Sequence, residues 1–148
     1  MKSYFFRCSG CGTRNRIPED RAGQPAKCGK CGGRMETSAL KIAHPVMVTD
    51  ANFTSTVLQS PMPVLLDCWA QWCGPCQIMG PVMDELAATW QGRIRVGKLN
   101  IDQNPRIAGQ FFVRSVPTLL VFDRGKLLDT LVGAVPKHQI IQKMAGYL

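Results

Sequence analysis

Apolar and polar positions divide the chain into two unlike stretches. Residues 46–148 follow the periods of alternating strands and helices, whereas residues 1–36 are rich in Gly and Arg and poor in aliphatic side chains. In the second stretch, residues 46–48 form a short apolar strand, and Asp50 is placed to cap a helix that turns Phe53, Val57 and Leu58 inward. Val64-Leu65-Leu66-Asp67-Cys68-Trp69-Ala70 is almost continuously apolar, the pattern of a strand buried on both faces. Ile78, Met79, Val82, Met83, Leu86 and Trp90 recur at helical spacing, and Pro81 should kink that helix. Residues 94–101 read as another strand, and Asn104-Pro105 opens a short helix reaching Phe111. Residues 118–122 and 127–132 flank Asp123-Arg124-Gly125, a hairpin with Gly in its turn. Pro136 starts a last helix whose Ile140, Ile141 and Met144 face the core. The order β-α-β-α-β-α-β-β-α predicts an α/β fold whose central mixed sheet combines parallel crossovers with one antiparallel hairpin.

A length of 148 residues leaves room for one such domain and a small appendage. The expected division is an N-terminal metal-binding segment over residues 1–37, a linker over 38–45 and the α/β domain over 46–148. Charge divides similarly: residues 1–45 carry nine Lys/Arg against three Asp/Glu, and residues 46–148 carry nine against seven. The only apolar run near the N-terminus, Tyr4-Phe5-Phe6, is far shorter than the roughly 7–15 residues of a secretory signal. No stretch approaches the roughly 18 apolar residues of a membrane span. A cytoplasmic protein without membrane partners is expected, and there paired cysteines point to metal binding or redox catalysis more than to structural disulfides.

The seven cysteines are an odd number, so they cannot all pair within the chain. Cys8, Cys11, Cys28 and Cys31 follow C-x2-C-x16-C-x2-C, the spacing of a four-thiolate zinc site. Gly12 and Gly32 follow the second cysteine of each pair, where positive φ lets the loop turn its N–H groups toward the sulfurs. Tyr4, Phe5, Phe6, Ile17 and Met35 are too few to order this segment alone, so it should be largely disordered without metal. Two disulfides or four free thiols are the alternatives. Its charge would suit a nucleic-acid contact, but four thiolates with Zn2+ offset two of the six positive charges. Arg14, Arg16, Arg21 and Lys27 then read as a solvated face, and nucleic acid is the less favoured partner.

Cys73-Gly74-Pro75-Cys76 lies where the buried strand gives way to a helix, the setting of a redox C-x-x-C motif. At the helix start, Cys73 faces unpaired N–H groups and the positive end of the dipole, which favours its thiolate. Cys73 would attack a substrate disulfide, and Cys76, one turn inward, would resolve the mixed disulfide. Gly74-Pro75 offers no group such as His to stabilise the thiolate further, so the dithiol should be a comparatively good reductant. Cys68 reads as a small core residue.

Residues 46–148 resemble the thioredoxin family. The segments that carry the resemblance are Asp67-Cys68-Trp69-Ala70-Gln71-Trp72-Cys73-Gly74-Pro75-Cys76, Lys98-Leu99-Asn100-Ile101-Asp102, Val116-Pro117-Thr118 and Val132-Gly133-Ala134, in that order. With the preceding cysteine pairs, the whole chain is similar to the zinc-ribbon-containing members. The resemblance implies a thioredoxin fold behind an N-terminal zinc ribbon, and protein-disulfide reductase activity. It implies Asp67 as a buried acid that helps deprotonate Cys76, Lys98 as its charged neighbour and Pro117 as a cis-proline. Trp72, Gly74, Pro75, Val116, Gly133 and Ala134 would form an apolar docking surface. One Zn2+, a redox-active disulfide, oxidised substrate proteins, and a thioredoxin reductase that brings in NADPH indirectly are the cofactors and partners implied, for a chain expected to be monomeric. Two other readings stay open: a sensor whose ribbon loses zinc on oxidation, and a nucleic-acid or protein-binding ribbon on an inert thioredoxin fold.

Overall fold

The computed structural model describes residues 2–148. The N-terminal segment is two antiparallel hairpins, β1 (Ser3–Arg7) with β2 (Arg14–Pro18) and β3 (Ala26–Lys27) with β4 (Arg34–Met35). Each hairpin turns on one cysteine pair, and the two turns are built alike. Cys8 N–H donates to the Thr13 carbonyl (2.9 Å) and Gly12 N–H to the Cys8 carbonyl (2.9 Å); Cys28 with Gly33 (2.8 Å) and Gly32 with Cys28 (2.9 Å) repeat the pattern. Both turns need a residue at positive φ, supplied by Gly12 (78°) and Gly32 (72°). Alternation along β1 buries Tyr4 and Phe6 and leaves Phe5 outside, its ring under the Arg14 guanidinium at 4.0 Å.

The stretch expected as a linker is largely ordered into this segment. A 3-10 helix spans Thr37–Lys41, with Thr37 and Leu40 fully buried. Leu40 packs in one cluster with Tyr4, Phe6, Ile17 and Met35, joined by Met62 from the α/β domain. The ribbon is also seated through polar contacts: Arg7 N–H donates to the Pro61 carbonyl (2.9 Å), and the Arg7 guanidinium pairs with Asp123 (3.1 Å). Tyr4 lies against Gly92, where a Cβ would come within 2.6 Å of the ring.

The domain has a five-stranded sheet in the order β5-β7-β6-β8-β9. Its strands are β5 (Val46–Met47), β6 (Val64–Trp69), β7 (Arg95–Asn100), β8 (Thr118–Asp123) and β9 (Lys126–Val132). β5, β7 and β6 run parallel, while β8 is antiparallel to both β6 and β9. The chain thus realises the predicted mixed sheet, with a crossover over each face. On one face Leu65, Val96, Leu119 and Leu131 meet α1 (Gly74–Thr89) and α3 (Lys137–Met144). On the other, Leu66, Cys68, Leu99 and Leu120 meet α2 (Pro105–Gln110) and a π-helical turn at Thr54–Leu58, closed by Phe53, Phe111 and Phe122, whose rings meet tilted or edge to face.

Several sequence expectations change. Asp50 caps no helix of its own: its carboxylate accepts the N–H groups of Arg106 (3.2 Å) and Ile107 (2.9 Å), at the start of α2. Thr49 and Asn52 instead exchange backbone and side-chain hydrogen bonds around the turn that follows β5 (2.7 and 3.2 Å). Ile140 and Met144 face the core, but Ile141 is exposed. Ile78 is also outside, 75% exposed, because α1 turns Met79, Met83 and Leu86 inward and leaves Ile78 on the opposite stripe. Helix α1 continues through Pro81, which lies on its exposed side and leaves the Gln77 carbonyl without an i+4 donor.

Asp50→Ala removes the acceptor for two N–H groups of α2, and unfolding in urea should show a loss of about 1–2 kcal/mol. An unchanged midpoint would mean that α2 needs no capping from Asp50.

Candidate active site and metal cluster

Strand β6 delivers the chain to the redox pair. After Trp69 the backbone turns, with Cys73 N–H bonded to the Ala70 carbonyl (3.2 Å), and α1 begins with Cys73 as its N-cap. Pro75 occupies the first turn, where no N–H is required. Cys73 and Cys76 are joined in a disulfide with a Cα–Cα distance of 5.3 Å, and Cys76 N–H donates to Cys73 Sγ (3.2 Å). The helix therefore presents a backbone donor and its positive dipole end to the sulfur that becomes a thiolate on reduction.

Around the disulfide the structure gathers most of the predicted surface. Val116, Ala70, Trp69 and Ile101 pack against the two cysteines. The Val116–Pro117 bond is cis, and Gly133 N–H donates to the Pro117 carbonyl (2.8 Å), holding the end of β9 beside it. Gly74, Pro75 and Ala134 are exposed, Gly133 and Val116 are half-buried and Pro117 is buried. Trp72 is 70% exposed but not free to swing: its Nε1–H donates to Asp102 Oδ2 (2.8 Å). Asp102 and Ile101 were part of a quoted motif, but nothing in the pattern assigned them these contacts.

Asp67 is completely buried, and neither carboxylate oxygen has a hydrogen-bond partner among the described residues. Alternation places it on the Leu65 face, the one covered by α1, so it lies beneath the helix that carries Cys76. Burial pushes its pKa up to about 6, and the positive charge of Lys98 opposes part of that rise. Lys98 is its register partner on β7. The Lys98 ammonium sits 5.4 Å from the centre of the Trp69 ring and close to Gly80 of α1. Cys68 points to the other face, and its thiol is pushed up to about 12 by burial and by the neighbouring Asp67 charge, which leaves it inert as a nucleophile.

At the ribbon, the Sγ atoms of Cys8, Cys11, Cys28 and Cys31 all lie within 4.8 Å of one another. The closest approaches cross between hairpins: Cys8 to Cys31 at 3.7 Å and Cys11 to Cys28 at 3.6 Å. Four sulfurs at 2.3 Å from a tetrahedral zinc would be spaced about 3.8 Å apart, whereas a disulfide needs about 2.05 Å. The donor set therefore fits a metal, not crosslinks. The Cys28 thiol is pulled down to about 6 by N–H donation from the Cys31 backbone, the Asn15 amide and the Lys30 backbone. Asn15, which sequence reasoning passed over, also accepts Gly29 N–H (2.9 Å), tying the first hairpin to the second cysteine turn.

Comparison with known proteins finds two families along the chain. Residues 44–146 match the Thioredoxin family, and residues 7–33 match the family described as Thioredoxin 2, N-terminal. The chain is 48% identical over 101 residues to Thioredoxin 1 of Nostoc sp., covering 68% of this chain and 94% of that protein. It is 48% identical over 100 residues to Thioredoxin 2 of Chlorobaculum tepidum, covering 68% and 92%. Against the chloroplastic M-type thioredoxin of Chlamydomonas reinhardtii the identity is 46% over 101 residues, covering 68% and 72%. The chain belongs to the thioredoxin family of disulfide oxidoreductases, with Cys73 and Cys76 as its redox pair.

Proposed function

We propose that the chain reduces disulfides of substrate proteins, with Cys73 as nucleophile, Cys76 as resolving thiol and Asp67 as the base for Cys76. The observation that carries this reading is a helix-capping cysteine bridged to a second cysteine, with a buried, unpartnered carboxylate on the sheet face that the same helix covers. In the reduced protein the Cys73 thiolate attacks one sulfur of the substrate disulfide; the substrate S–S bond breaks and one substrate thiolate leaves to take a proton. Asp67 then accepts the proton of the Cys76 thiol, and the Cys76 sulfur attacks Cys73 Sγ. The second substrate thiolate leaves, the Cys73–Cys76 disulfide forms, and two electrons have passed to the substrate. Lys98 holds Asp67 toward its charged form, and Trp72, Gly74, Pro75, Val116, Pro117, Gly133 and Ala134 receive the substrate backbone and apolar side chains. A thioredoxin reductase drawing on NADPH returns the dithiol, in keeping with work in the reducing cytoplasm. Among the described residues no helix is long and apolar enough to cross a membrane.

Cys8, Cys11, Cys28 and Cys31 would hold one Zn2+, which when bound supplies a crosslink between the two hairpins. The ribbon seats on Pro61, Met62 and Asp123, at the end of the sheet where β6 begins, and the redox pair follows its other end. Six residues of strand put about 20 Å between those ends, so the zinc cluster stands outside the thiol exchange.

In a reductase-coupled assay on zinc-loaded protein, Cys73→Ser should reduce a model protein disulfide no faster than background, while Cys76→Ser should accumulate the mixed disulfide. Turnover of Cys73→Ser at the wild-type rate would sink the reading. Stripping the metal with a strong chelator should make residues 2–45 sensitive to protease yet leave reduction of a small disulfide intact; loss of both together would place zinc in the chemistry.

Asp67 supplies a pH test. Its folded pKa, about 6, lies above the ordinary 3.8, so the native state holds an extra proton between these values and loses stability as pH rises through them. Asp67→Asn should therefore gain nothing below about pH 4 and up to about 3 kcal/mol at pH 7, less whatever the unpartnered amide costs. The same variant should release mixed disulfides more slowly in stopped-flow measurements. A stability gain independent of pH would contradict the burial argument.

A further inference from the structure

The ribbon carries a second concave feature that the redox chemistry leaves unused. A groove of about 870 Å³ opens between the two hairpins, lined by Arg16, Arg21, Lys27 and Arg34 over a floor that includes Ile17 and Pro25. No acidic and no aromatic side chain lines it among the described residues. Glu19 and Asp20 precede Arg21 in a 3-10 turn but stay outside the groove, and Arg34 meets Glu36 (2.8 Å) only across exposed surface, a pairing worth little in water. The sequence reading of Arg16, Arg21 and Lys27, with Arg14, as a solvated face did not foresee that folding gathers these three with Arg34 around one cavity.

The wall of the groove is braced from behind. The buried Thr37 hydroxyl accepts Gly23 N–H (2.9 Å) and donates to the Gln24 carbonyl (2.6 Å), and Gln24 N–H returns to the Arg21 carbonyl (3.1 Å). That network locks the turn between Arg21 and Pro25. On the opposite side, Arg16 Nε–H donates to Ser3 Oγ (2.9 Å), which fixes one guanidinium at the rim. The backbone that carries Arg21 is thus fixed and the Arg16 guanidinium tethered before any ligand arrives, which lowers part of the ordering cost of binding an anion.

Charge selects the kind of ligand and the lining narrows it. Four thiolates and a dication would still leave residues 1–45 near +4, from nine basic and three acidic residues. Single-stranded nucleic acid is bound by cations interleaved with aromatic platforms for its bases, and this groove has none. An extended chain of carboxylates needs cations along its path and no stacking platform, which is what this lining offers. We propose that the groove docks an acidic peptide segment of a partner protein, at a site separate from the disulfide face. Because the ribbon sits at the far end of the sheet, such a partner could be held there while Cys73 remains free to react, and a protein carrying both an acidic segment and a disulfide would be bound at two points.

The test uses the zinc-loaded full chain and fluorescence anisotropy of a labelled decaglutamate peptide, with a labelled decathymidylate in parallel. The wild type should bind the peptide more tightly than the oligonucleotide, and binding should fade as salt rises. Arg21→Glu with Lys27→Glu should weaken peptide binding by at least about tenfold, whereas Lys126→Glu with Lys143→Glu, an equal change in net charge on β9 and α3, should alter it little. Zinc content and circular dichroism check the fold, and the milder pair Arg21→Gln with Lys27→Gln should give an intermediate loss should the reversals unfold the ribbon. Reduction of a small disulfide should be unchanged in every variant, which separates this proposal from the reductase reading. Tighter binding of the oligonucleotide, equal losses in the groove and control variants, or no peptide binding at all would each overturn it.

Discussion

Strand β6 exchanges backbone hydrogen bonds with β7 on one side and β8 on the other, and both of its faces are covered. A chain held on four sides has no low-cost displacement, so whatever its two ends carry is fixed relative to the sheet. One end leads through Trp69 and Ala70 into the cysteine-capped helix, and the other follows directly from Pro61 and Met62, where the ribbon rests. The separation of the two sites is therefore a property of one strand and does not depend on loops.

The same strand places a carboxylate where water cannot reach it. Full burial of Asp67 without hydrogen-bond partners works against the folded state, with Lys98 opposite it on β7 supplying only partial relief. Neighbouring Cys68 shows what strand alternation does to chemistry: one step along the chain moves a titratable group from beneath α1 into an apolar cluster on the other face. A carboxylate whose pKa is raised toward that of a thiol is suited to exchange protons with one, and the burial that raises it is also what works against the folded state.

How much was legible in the sequence depended on where the partners of each residue lie. The apolar run of β6, the helix of Met79, Met83 and Leu86, and the paired cysteines declare themselves through neighbours within a few residues. Asp50 did not, because the N–H groups it accepts belong to Arg106 and Ile107, brought beside it only by the sheet. Leu40 shares residues 36–44 with just one other large apolar side chain, Ile42, and its partners Tyr4, Phe6 and Met62 lie on either side at long range. Ile78 shows a different limit: periodicity finds apolar residues on a helix but does not say whether a given one faces the core or solvent. In the active site the cysteines were plain, whereas the grip of Asp102 on Trp72 needed coordinates.

The contact of Tyr4 with Gly92 reaches beyond packing. Gly92 closes the turn between α1 and β7 at a φ of 77°, so one missing Cβ both allows that turn and leaves the room the Tyr4 ring occupies. A domain of the same fold with a larger residue at that site would present a bump where the ring must lie. Transplanting the ribbon is therefore a matter of two surfaces: a recipient must offer this gap together with acceptors for Arg7 and an apolar residue in the place of Met62.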